Sequence, residues 1–236
     1  MRLMLLAAFE TSTEWCSVAL WRDGALSSVE ARASNSHGEV ALPMLQRLLE
    51  AQGVLARDLD AVAFGAGPGS FTGLRIACGL AQGLAFGSGI PVLGVSTLEA
   101  LAEESGAARV FACLDARMQE VYCAALERDG LRWREVLGTR CVPPAEAPVP
   151  PGVGWRGCGS GFAAHGDALR QRIGAHLEGI DALVHPSAAA VAKLAAPRLA
   201  AGEGVDAALA APVYVRDKVA LTTAELSARR GIIDAR

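Results

Sequence analysis

GPGSFTGLRIACGLAQGLAFG, residues 67–87, poses the problem on which the fold turns. A glycine-rich loop runs into a helix-length apolar segment, the layout of an anion site at a helix N-terminus. The specific signatures are missing. There is no Gly-Lys-Ser/Thr ending, and the glycines do not fit G-x-G-x-x-G. A nucleophile elbow would need glycine at positions 68 and 72, which are Pro68 and Thr72. The other reading is a tight turn that positions the next helix. On that helix, steps of 100° place Leu74, Ala77, Leu80, Ala81 and Leu84 on one face. Gly79, Gly83 and Gly87 make a second stripe roughly 130° away. Arg75 is the sole charged residue from Phe64 to Leu98. A helix with one face in water carries more charge than this, and each interior glycine costs about 0.8–1 kcal/mol relative to alanine. The pattern predicts a close helix neighbour.

The preceding helix, predicted over about Gly38 to Gln52, has the same surplus. Its apolar side chains Val40, Met44, Leu45, Leu48, Leu49 and Ala51 spread over roughly 200°, twice the stripe one core face requires. Two such helices predict a subunit interface built on Val40, Met44, Leu45, Leu48, Arg75, Ile76, Gly79, Gln82, Gly83 and Gly87, in a four-helix arrangement. Mutual burial of the two helices in one core is the alternative.

Outward from these helices the chain repeats itself. FETSTEWCSVALWRDG and LDARMQEVYCAALERDG each contain a buried strand, an acidic residue at its tip, a short turn, an alternating strand and an Arg-Asp-Gly hairpin. This reads as an internal duplication. The first half, residues 1–104, adds a strand over Asp60 to Phe64, the loop and helix of residues 67–87, a strand over Pro91 to Val95, and a helix capped by Ser96 with Glu99 three residues on. The second, smaller half, 105–236, carries a proline-rich loop at 143–151 and helices over about Gly161 to Arg172 and Ser187 to Ala201. APVYVRDK reads as a short strand, and the tail from Ala220 as a surface helix or a frayed end. A last helix packing back on the first half is the expected connection. Two tandem α/β units facing one cleft follow, with Glu10 and Asp115 meeting at its floor.

Composition limits the function. The 236 residues are 52% apolar and 20% charged, with a formal charge of −3, which is globular and carries no basic stripe for direct nucleic-acid binding. Any RNA is expected to be held mainly by partners. MRLMLLAAFETST is too short an apolar run for a secretory or membrane segment, which predicts a cytoplasmic protein with no membrane association. The six cysteines, Cys16, Cys78, Cys113, Cys123, Cys141 and Cys158, have no C-x-x-C spacing and read as reduced core residues. His37, His165, His176 and His185 are isolated, and position 41, one turn after His37, is alanine, so no metal site is expected. The cleft candidates are Glu10, Thr11, Ser12, Thr13, Ser70, Asp115 and Arg117. Neither turn between paired strands contains glycine, so side chains crowd the space where a phosphate would approach the backbone. Weak ATP binding or none is expected, with no tightly bound cofactor.

ETSTEWCSVALW, AFGAGPGSFTGLRIACGLAQGLA, GVSTLEALA, DARMQEVY and the late PVY-R segment resemble the bacterial TsaB (YeaZ) family over nearly the whole chain. The resemblance implies two tandem RNase H-like domains of the actin/Hsp70/sugar-kinase type, the second reduced. It also implies a non-catalytic subunit for threonylcarbamoyl transfer to adenosine 37 of tRNAs reading codons that begin with A. Its implied partners are a catalytic paralogue of the TsaD type, seated on residues 38–52 and 73–87, and a TsaE-like ATPase. The chain alone is expected to form a homodimer through the same helices, and any nucleotide to sit at the partner boundary. An independent ATP-dependent kinase of the same fold, or a peptidase, are the competing readings. The family usually has Asp before Thr-Ser-Thr, where this chain has Glu10.

Overall fold

A computed structural model of the chain describes residues 4–33 and 36–216. Its frame is two five-stranded mixed sheets. The first comprises β1 (Leu5–Glu10), β2 (Trp15–Arg22), β3 (Ala25–Arg32), β4 (Ala61–Gly67) and β5 (Val92–Ser96), in the order β3-β2-β1-β4-β5. The second comprises β6 (Arg109–Asp115), β7 (Val121–Asp129), β8 (Arg132–Val142), β9 (Trp155–Cys158) and β10 (Leu177–Asp181), in the order β10-β9-β6-β7-β8. Each sheet starts with an antiparallel meander and continues with two parallel strands on the other side of its first strand. The duplicated motif is thus a duplicated sheet topology.

Five α-helices join them among the described residues: α1 (His37–Gln52), α2 (Phe71–Ser88), α3 (Thr97–Ser105), α4 (Ser160–Ile173) and α5 (Ala188–Ala200). They fall into layers. Leu5, Ala7 and Phe9 pack against α1 and α2, whereas Leu6 and Ala8, on the opposite face, join a core containing α3 and α5. β1 is therefore covered on both sides, which is why LLAAF is a continuous apolar run instead of an alternating one. Val110 and Ala112 of β6 reach the same central core from the second sheet, and Phe111 and Cys113 turn outward to α4. The alanine-rich α5 contacts β1, β2 and β4 as well as α3. Its small side chains let it lie close between neighbours, and Lys193 is an exposed position on it.

Local chemistry sets the helix ends. The Ser70 and Ser96 hydroxyls accept from the amides of Gly73 and Glu99, both at 3.4 Å, the N-cap arrangement. Gly53, Gly89 and Gly106 close α1, α2 and α3 in the left-handed conformation that glycine adopts without steric cost.

The quoted glycine loop owes its composition to a neighbouring backbone. A Cβ on Gly73 would overlap the Thr11 carbonyl, and one on Gly69 would lie 2.6 Å from Ser12 Cβ. Across this approach the Thr11 hydroxyl donates to Gly73 O at 2.7 Å, and the Ser70 amide donates to Ser12 O at 2.7 Å. The second repeat copies the device: a Cβ on Gly159 or Gly161 would collide with Cys113 at the end of β6. The loop is a tight turn that docks α2 on the tip of β1.

Glu10 departs from expectation. It is 1% exposed and lies under the cleft, not on its floor. Oε1 accepts from the Ser12 amide at 2.6 Å, and Oε2 has no hydrogen-bond partner among the described residues. The longer carboxylate fits because residue 65 is glycine, where a Cβ would overlap Oε2. Burial pushes its pKa above the ordinary 4.5, opposed by hydrogen bonds from Ser12. The APVYVRDK strand also does not form: residues 211–216 are extended but unassigned to a sheet, the Val213 amide bonding only to Ala66 O at 2.7 Å. Residues 217–218 and the tail from Ala220 lie outside the described residues. β10 was not anticipated from the sequence.

Two glycines of α2 should respond oppositely to alanine. Gly73→Ala forces a backbone apart and should destabilise by about 1–3 kcal/mol. Gly83→Ala meets nothing within 4 Å among the described residues and should leave the monomer neutral or stabilised by up to about 1 kcal/mol; urea unfolding of both variants, at concentrations where the chain is monomeric, measures the contrast. Glu10 predicts a pH effect. A carboxyl whose folded pKa is raised contributes stability that is complete below the unfolded value, about 4.5, and is lost as pH rises through the folded value. Glu10→Gln should therefore gain on the natural chain between pH 4.5 and neutrality. Parallel stability profiles for the two chains would contradict the burial of an unpaired carboxyl.

Candidate functional site

The cleft lies between the repeats and measures about 680 Å³. One wall is the turn after β1, with Ser12, Thr13 and Glu14, together with Ser70 and Phe71 at the start of α2. The other is Asp115, Ala116 and Arg117 after β6, with Ser160 and Ala163 of α4. Of the seven expected cleft residues, Ser12, Thr13, Ser70, Asp115 and Arg117 line it; Glu10 and Thr11 are buried behind it. The Thr13 hydroxyl accepts from the Trp15 amide at 3.2 Å, which tightens the first turn.

The second turn is conformationally unusual. Arg117, Met118 and Gln119 have φ of 60°, 54° and 64°, three successive left-handed residues without glycine. Each such residue costs about 1–2 kcal/mol, so the neighbours must hold the turn. The Ala116 amide donates to Glu120 O at 2.9 Å, and the Glu120 amide to Arg117 O at 3.0 Å.

Charges in the cleft are matched locally. Asp115 Oδ2 is 3.2 Å from Arg117 Nη1, and Oδ1 accepts from the Arg117 amide at 3.0 Å. His165 Nε2 lies 3.3 Å from Asp115 Oδ1, where α4 leaves helical geometry at φ −134° and ψ 30°. Arg32 faces Glu14 at 3.9 Å, and Arg216 pairs with Glu120. Each guanidinium on the cleft thus has a carboxylate within reach, which weakens the field available to a phosphate. Among the described residues no group of three or more His, Cys, Asp or Glu side chains converges to hold a metal ion.

The sequence reading missed Ser160, whose Oγ accepts from the Asp115 amide at 3.1 Å, and it missed His165 and Arg216. A signal for Ser160 existed: GCGS at 157–160 repeats GPGS at 67–70. The histidines are not isolated either. His185 stacks on Trp15 with centroids 4.5 Å apart and lies 3.2 Å from Glu30. All six cysteines are free, with Cys141 half-buried and the other five buried.

The expected helix surface divides. Met44 and Leu45 are 7% and 2% exposed and belong to the core beneath α1, so their contribution is to this chain's own packing. Val40 and Leu48 are half-buried at the edge of that core, and Ile76 is half-buried on α2. α1 spends much of its apolar arc on the first sheet. Gln82 is half-buried and donates to Ala210 O at 3.0 Å. Arg75, Gly79, Gly83 and Gly87 are exposed, and a Cβ at any of these three glycines would meet nothing within 4 Å among the described residues. Phe86, 76% exposed, and Leu209, 74% exposed, are further apolar groups on the surface, and the 207–209 turn contacts α2. No described helix is long and apolar enough to cross a membrane.

The chain is similar to known proteins. The family model described as "TsaD: tRNA N6-adenosine threonylcarbamoyltransferase" matches residues 29–223. The tRNA threonylcarbamoyladenosine biosynthesis protein TsaB of Escherichia coli is 39% identical over 227 residues, 92% of this chain and 96% of that protein. The protein of the same name from Haemophilus influenzae is 35% identical over 233 residues, 93% and 96% of the two chains. The solved structure of YeaZ from Pseudomonas aeruginosa superposes with a TM-score of 0.83 at 41% identity, covering 89% of this chain and 99% of that one. With such identity along nearly the full length of both relatives, and a shared arrangement of both sheets, the chain belongs to the TsaB (YeaZ) family.

Proposed function

We propose that this chain acts in the biosynthesis of threonylcarbamoyladenosine in tRNA, as a non-catalytic subunit that scaffolds the transfer step. The observation that carries the reading is the exposed side of α2. It presents Gly79, Gly83 and Gly87 with open space above each and only Arg75 charged. Glycines at four-residue spacing lower the helix surface so that a second backbone can approach closely. Leaving them uncovered forfeits helix stability, a cost that a partner helix offsets. The partner is a catalytic paralogue of the TsaD type, joined by a TsaE-like ATPase, and the same face makes a homodimer when the chain is alone. The transfer chemistry, any metal and most of the tRNA contact belong to the partners.

The cleft favours this division of labour. The turns after β1 and β6 lack glycine, and the cleft's guanidinium groups are matched by carboxylates. A nucleotide, where one takes part, sits at the boundary with the catalytic partner. The two halves, 1–104 and 105–236, act as paired domains of the actin/Hsp70/sugar-kinase type, in a cytoplasmic complex.

A drop-out reconstitution tests the role. tRNA, threonine, bicarbonate, ATP and the purified partner enzymes are combined with and without this chain, and modified adenosine is quantified by mass spectrometry. Modification should require the chain, and the chain alone should make none. Equal modification without it would refute the scaffold role, and ATP turnover or peptide cleavage by the pure chain would favour an enzyme of its own. Gly83→Glu should abolish pairing while leaving the unfolding midpoint within a few degrees, because its side chain enters open space. A variant that unfolds instead would assign the stripe to the core.

A further inference from the structure

Residues 211–216 follow a course that the family reading does not use. They leave the first half beside α2 and end on the second, and Val213, Tyr214, Val215 and Arg216 all line the cleft. The upper end is held by the first half. The Val213 amide donates to Ala66 O at 2.7 Å, and the Tyr214 hydroxyl accepts from Arg75 Nε at 3.0 Å. The Tyr214 ring lies 5.2 Å from that of Phe71, over which the Arg75 guanidinium sits at 3.8 Å. The lower end is held by the second half. Arg216 pairs with Glu120, donates to Arg117 O at 3.4 Å and stands 5.9 Å from the centre of the Tyr122 ring. Its side chain is 15% exposed.

We propose that residues 211–216 are a latch that ties the two halves together across the mouth of the cleft and keeps it covered in the free chain. Three features support a latch over a passive covering. Its anchors are on opposite walls, so it resists their separation. The lower anchor is a charge-assisted pair, among the stronger hydrogen bonds. That anchor also grips the strained turn: Arg216 takes the carbonyl of Arg117, the first of the three left-handed residues, and the carboxylate of Glu120 just after them. Losing it removes a restraint from a segment with backbone strain to release. Val215 packs at the margin of the central core, to which Tyr122 belongs, but the side-chain bonds of Tyr214 and Arg216 are not part of either sheet's ladder, so the latch can open without unpairing a strand.

The test is amide hydrogen exchange by mass spectrometry on the full chain, comparing the natural sequence with Arg216→Ala and Glu120→Gln. In the natural chain the 211–216 segment and the 116–120 turn should be protected. Each variant should raise exchange about tenfold or more, the size of effect expected when a charge-assisted hydrogen bond is lost, in 211–216, in 116–120 and at the 11–14 turn on the far wall. Exchange in β1 and α5 should not change, which separates latch release from unfolding. Tyr214→Phe, which loses the side-chain hydrogen bond of the upper end without leaving a void, should raise exchange in 116–120 from the opposite end. The proposal fails if 211–216 exchanges completely at the earliest time in the natural chain. It also fails if the variants free that segment while both walls keep their protection. Should a variant raise exchange throughout the chain, Arg216 and Glu120 are general stability determinants and the latch is refuted.

Discussion

The contact on which the rest depends is between two backbones. Thr11 and Ser12 lie against Gly69 and Gly73 so closely that a single methyl group would separate them. The approach lets the Thr11 hydroxyl reach Gly73 O and the Ser70 amide reach Ser12 O, linking the tip of β1 to the first turn of α2. The position of α2 then follows, and with it both the cleft wall and the exposed glycine stripe. The glycines at 69 and 73 serve the interior, whereas those at 79, 83 and 87 face outward. The loop and the helix it opens carry both sets, so internal packing and the proposed partner surface are mechanically joined.

The second half repeats this solution with different residues. Gly159 and Gly161 admit Cys113 where Gly69 and Gly73 admit Ser12 and Thr11. The strand order is the same, yet the sites differ. Asp115 is half-buried at the cleft beside Arg117 and His165. Glu10 is sealed behind its turn with one oxygen unpartnered. The duplication supplied two similar frames with different electrostatics: the Glu10 carboxylate is buried against Gly65, and the Asp115 carboxylate lines the cleft.

Much of this was legible because it is local. Alternation in TrpCysSerValAlaLeuTrp and the following Asp-Gly marked the first hairpin, and Ser96 marked a helix start; both features arise within a few residues. The repeat was legible because the strand tips and hairpins kept their spacing. The surplus apolar arc of α1 was misleading in part. Periodicity records that Met44 and Leu45 are apolar, but not whether a sheet or another chain covers them, and here the first sheet does. Residues 211–216 misled in the opposite way: an alternating segment reads as a strand, but whether it pairs depends on which edge is free nearby.

The sequence by itself determined the α/β class, the tandem repeat, the tight glycine turn and the family, since these rest on periodicity, turn chemistry and motif spacing. Only the tertiary structure decided which carboxylate faces the cleft, which glycines are buried, and that residues 211–216 bridge the two halves. Those outcomes depend on distances between segments far apart in the chain. Arg75 and Tyr214 stand 139 residues apart, and Arg216 and Glu120 stand 96 apart. No local pattern encodes such a meeting, because it exists only after both sheets have packed on α3 and α5.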